Sequence, residues 1–133
     1  MNRRFFAAAA ALVLALAIPA AAVAAPTASP FAGTWVSIDI PDGSSQLLVV
    51  SGGTRPSVVY QDFYASGCDT NAGPATHWVG AGTGEVDGDT LWVGFHKSGC
   101  GTFLQGGYGD YYVYDSGSDT LTDSFGTVWS RAT

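Results

Sequence analysis

The sequence predicts an all-β chain, folded as a small antiparallel up-and-down β-barrel of about eight strands in a meander. Three observations lead there. Past the first 24 residues no segment keeps a helical period. Gly and Pro recur too often for a helix of ordinary length, and they separate short runs rich in β-branched and aromatic residues. Several of those runs are joined by tight turn signals, so that neighbours in sequence pair as hairpins.

Met1 to Arg4 carries two positive charges, Phe5 to Ile18 is apolar without a charge, and Ala22-Val23-Ala24 supplies the small-x-small pattern of signal peptidase sites. Residues 1–24 therefore read as a secretory signal peptide, 25–32 as a short linker and 33–133 as a single barrel domain. The apolar run is shorter than the roughly 18–20 residues of a membrane span, and Pro19 ends it. Arg3-Arg4 also leaves a twin-arginine export route open beside the general one. The expected location is extracellular.

In chain order the expected strands are Thr34 to Ile40, Ser45 to Val50, Ser57 to Ala65, His77 to Val86, Thr90 to Lys97, Asp110 to Asp115, Thr120 to Thr122 and Thr127 to Arg131. The turns PDGS (41–44), SGGTRP (51–56), DG (87–88) and SGSD (116–119) join most of them, and two longer Gly-rich loops, Ser66 to Thr76 and Ser98 to Gly109, complete the meander. Taking Asp87-Gly88 as a two-residue hairpin loop sets Gly84 opposite Leu91, Gly82 opposite Val93 and Gly80 opposite Phe95. That face is the expected core, its glycines leaving room for large apolar partners and for strong coiling. The other face carries His77, Val79, Trp92 and His96, with His96 across from Val79 and diagonal to His77.

Two histidines alone make no metal site, and no third ligand falls beside them, so no metal is expected. GAGTG (80–84) has neither the spacing nor the following helix of a nucleotide loop. No nucleophile elbow and no His-Asp spacing stands out, so neither catalysis nor a cofactor is expected. Beyond residue 24 only Arg55, Lys97 and Arg131 are basic, whereas the chain has eleven Asp and Glu, a balance that repels nucleic acid and anionic lipid. Most of the Asp residues adjoin Gly or Ser and read as turn chemistry. Cys68 and Cys100 form an even pair in an exported chain, which predicts one disulfide.

Gly33-x-Trp35 opens the barrel segment and Arg131 ends it, while Gly109-Asp110-Tyr111-x-x-Tyr114 precedes the last strand. This order resembles that of the calycins, the lipocalins and avidin-like barrels, with Gly109 standing where the lipocalin element has Thr. The resemblance implies a small closed barrel in which Arg131 packs across Trp35, and the length suits the avidin-like members better. Independently of any family, an up-and-down barrel must pair its first and last strands, which makes the two ends of the chain neighbours. A β-sandwich or jelly roll is the alternative fold.

The expected function is that of a secreted, non-catalytic binding protein for a small molecule or glycan. In a meander both cysteines fall at one end, together with the two longest loops, so that rim is the expected site. Tyr64, His77, His96, Phe103, Tyr108 and Tyr111 lie nearest it. Two other readings stay open. One is a surface-type carbohydrate-binding module drawing on Trp78, Trp92, Tyr108, Tyr111 and Tyr112, and the other is a structural or inhibitory protein acting through its loops on an exported partner.

Overall fold

Eight antiparallel strands pair in chain order and the last returns to the first, closing a barrel. They are β1 (Gly33–Ile38), β2 (Ser45–Ser51), β3 (Ser57–Asp62), β4 (Trp78–Asp87), β5 (Thr90–Cys100), β6 (Phe103–Asp115), β7 (Thr120–Asp123) and β8 (Val128–Arg131). The computed structural model describes residues 28–63, 68, 77–100 and 103–133; the signal-peptide reading of residues 1–24 lies outside them. Closure in sequence order rules out the sandwich and jelly-roll alternatives, and no α-helix occurs among the described residues. Cys68 and Cys100 are joined in a disulfide.

The core follows from the two-residue alternation of the strands. Leu48 and Val50 of β2, Val58 of β3, Leu91, Val93 and Phe95 of β5, Tyr112 of β6, Leu121 of β7 and Trp129 of β8 point inward and are buried. Phe31 and Trp35 plug the lower end, taken as the end where β1 begins, and both are fully buried. The expected linker 25–32 therefore ends in structure, since its described residues 28–32 carry Phe31 into the core.

β1 and β8 share only two register pairs, Trp35 with Arg131 and Val36 with Ser130, so closure leans on side chains. The guanidinium of Arg131 lies 4.0 Å from the centre of the Trp35 ring. It donates to Ala32 O and Pro30 O, each at 2.8 Å, and to both carboxylate oxygens of Asp119 at 2.8 and 2.9 Å. Gly33 makes room for this: a Cβ there would sit 2.8 Å from Arg131 Nη1, and its φ of +139° is one that L side chains rarely adopt. Arg131→Ala should cost about 1–3 kcal/mol, combining a cation–π contact with two charge-assisted bonds to backbone carbonyls. Urea unfolding measures it, and an unchanged midpoint would show that the bracket does not stabilise closure.

The β4–β5 register differs from the expected one. Asp87 pairs with Thr90, so the loop is Gly88-Asp89, with Gly88 at φ +61° in the first loop position. Gly84 then faces Val93 and Gly82 faces Phe95, two residues further along than the sequence suggested. A slip of two preserves parity, so the same residues still face the core. A bulge between Ala81 and Gly82 shifts the upper half again and sets Val79 against Gly99. His96 is consequently not across from Val79 and not diagonal to His77.

The expected loop Ser98 to Gly109 is mostly strand. β5 runs on to Cys100 and β6 starts at Phe103, with irregular register around Ser98. Ser98 Oγ donates to Gly106 O at 2.8 Å, and Ser98 pairs with Gly106 across the two arms. Glycine-rich sequence weakens a strand signal, yet here pairing along the longest hairpin in the barrel overrides it.

Candidate ligand-binding mouth

Near the upper end of the barrel the inward rows turn from apolar to polar. β2 climbs from Val50 and Leu48 to Gln46, β3 from Val58 and Tyr60 to Asp62, β6 from Tyr112 to Asp110, and β7 from Leu121 to Asp123. The lower and middle barrel is filled with side chains, and above that fill a cavity of about 460 Å³ opens. Tyr60, Tyr108, Tyr112 and Trp129 form its aromatic wall, and Ile40, Pro41 and Phe125 form its lip. Phe125 is 79% exposed and Ile40 72%.

The aromatic wall is packed edge to face. Trp129 meets Tyr60 at 6.0 Å and Tyr112 at 6.1 Å between ring centres, while Tyr108 stacks on Phe95 at 4.7 Å. Burial raises the pKa of all three tyrosines, Asp62 adding to it at Tyr60 and Asp110 at Tyr108 and Tyr112, so the phenols stay neutral.

The carboxylates have unequal duties. Asp123 accepts Thr127 N at 2.8 Å, Phe125 N at 3.0 Å and Trp129 Nε1 at 3.0 Å, which ties the β7–β8 turn to the aromatic wall. Asp62 accepts Ser44 Oγ at 2.6 Å. Asp110 accepts Tyr111 N at 2.7 Å and Ser124 N at 3.4 Å through one oxygen. Asp39 titrates above the usual carboxylate range, because burial and then the nearby charges of Asp42 and Asp62 disfavour its ionised form. Gln46 is 7% exposed; its Nε2 donates to Tyr60 Oη at 3.1 Å, and its Oε1 is buried without a partner.

The residues expected at the rim are dispersed. Tyr108 lines the cavity and Tyr111 lies on the outer face against Trp92. His96 is also outside, 3.0 Å from Thr83 Oγ1, and His77 is exposed just before β4. Phe103 starts β6, and Tyr64 lies outside the described residues. Gln46, Tyr60, Asp62, Asp110, Asp123 and Trp129 were not foreseen, and Tyr112 was named only in the pool for a carbohydrate surface. Their signal in the sequence is alternation, since each continues the inward row of its own strand.

A second concavity, about 800 Å³, lies outside the barrel around Trp92, Tyr111, Thr83, Glu85 and Arg55. Its two rings are 5.2 Å apart but tilted by 51°, so they do not form one plane. Of the pool named for a carbohydrate platform, Trp92 and Tyr111 face outward, whereas Tyr108 and Tyr112 face the cavity.

No family model matches this chain, no curated protein matches it in sequence, and no solved structure matches it.

Proposed function

We propose that this is a secreted, non-catalytic binding protein that holds a small molecule in the upper mouth of a calycin-like barrel. The observation that carries the reading is Gln46. A buried acceptor without a partner costs about 1–3 kcal/mol, a cost that folded proteins rarely keep unless something else fills the demand. Gln46 lines a cavity of a size usual for small ligands, with an aromatic wall and convergent polar groups. The Gly33, Trp35 and Arg131 bracket supports the calycin-like reading, and the disulfide accords with an exported protein.

A fragment library screened by saturation-transfer NMR against the wild type and Gln46→Met tests this. Fragments that bind the wild type should lose signal in the variant, whose melting temperature should be unchanged or higher because the orphan acceptor is gone. If the variant binds the same fragments equally well, or melts well below the wild type, Gln46 is a structural residue and the reading fails.

The groove at Trp92 and Tyr111 supports the second reading, a surface-type carbohydrate-binding module, because aromatic rings exposed beside Gly94 and Gly109 leave room for a sugar face. Retention on insoluble polysaccharides, abolished by Trp92→Ala and not by Gln46→Met, would favour it over the mouth.

A further inference from the structure

Resting on the mouth as the binding site, we infer that its ligand is an organic cation, an ammonium or guanidinium group carried on an apolar body. The cavity is lined by Asp39, Asp62, Asp110 and Asp123, and no Lys, Arg or His is among its lining residues. Segments 64–76 and 101–105 contain no basic residue in the sequence either. Arg55 belongs to the β2–β3 connection at the opposite end, Lys97 is exposed on β5, and Arg131 is engaged by Asp119 and two carbonyls at the base. Among the described residues, none of these basic side chains lines the collar.

The independent pointer is Gln46. Its side chain is more than nine-tenths buried, lines the cavity, and leaves Oε1 unpartnered, so the group that satisfies it must donate a hydrogen bond. An ammonium donates up to three such bonds, and Asp39 and Asp110, which line the same cavity, supply the charge. The Tyr60, Tyr112 and Trp129 rings line the same cavity and aromatic rings attract cations, while Ile40, Pro41 and Phe125 at the lip suit an apolar remainder. A bare metal ion fits less well, since among the described residues no three carboxylates, histidines or cysteines converge as a metal requires.

Three probes that share one ring and differ in the head group separate charge from shape: phenethylamine, 2-phenylethanol and phenylacetate. Calorimetric titration at neutral pH, with amide chemical shifts recorded in parallel, should give phenethylammonium at least about tenfold tighter than the alcohol, and phenylacetate weakest. Shifts should centre on Gln46, Tyr60, Asp110 and Trp129. Asp39→Asn, at a half-exposed position where folding is least at risk, should weaken the ammonium several-fold and leave the alcohol unchanged. If the alcohol binds at the mouth as tightly as the ammonium, the charge inference is overturned and the mouth stands. If none of the three shifts the mouth residues, both fall together.

Discussion

Trp35→Ala should be the most damaging single substitution in the barrel, with an expected loss of about 3–5 kcal/mol. The indole is fully buried, and its Nε1 donates to Phe31 O at 2.9 Å. Tyr114 packs on it edge-on at 6.3 Å and Arg131 lies over its face. Alanine would leave a cavity, an unpartnered carbonyl and a guanidinium without its ring, all at the seam where β1 and β8 share two register pairs. For a domain of this size, each kcal/mol corresponds to a fall of about 4 °C or more in melting temperature, so a fall above 10 °C is expected. Trp35→Phe should retain roughly half of the lost stability. A loss under about 1 kcal/mol for the alanine variant would mean that the seam is held by other contacts.

Removing the disulfide should come next. Cys68 is buried, and its bond to Cys100 fixes the β3–β4 connection to the end of the β5–β6 hairpin. With a sequence separation of 32, the closed loop restricts the unfolded chain by about 3–4 kcal/mol. That is a large share of the roughly 5–15 kcal/mol available to a small domain. The Cys68→Ser/Cys100→Ser double variant should unfold at correspondingly lower urea, and the wild type should move to the same midpoint under reductant. Two free thiols in the denatured, unreduced wild type would contradict the pairing.

The barrel was legible because its signals are local. Turn signals or alternation mark at least part of each strand, and pairing the ends of a meander sets Trp35 beside Arg131. Register was less legible, since the pair signal at Asp87-Gly88 is shared by two loops one residue apart, and the barrel takes the one that puts Gly88, at φ +61°, in the first loop position. The mouth was missed for a different reason. Asp residues beside Gly and Ser look like turn formers, and Asp123 does serve the 124–127 turn while its second oxygen binds Trp129 inside the barrel. Treating 98–109 as a loop also cut Tyr108 off from the inward row that runs through Asp110 and Tyr112, so the acidic collar could not be assembled by counting.

Intermolecular nuclear Overhauser effects from phenethylammonium bound to the protein locate a ligand most directly. The mouth account predicts contacts from the phenyl and methylene protons to the Tyr60, Tyr112 and Trp129 rings, with none to Trp92. Contacts to Trp92 and Tyr111 on the outer face, with the Tyr60 and Trp129 resonances unmoved, would contradict it.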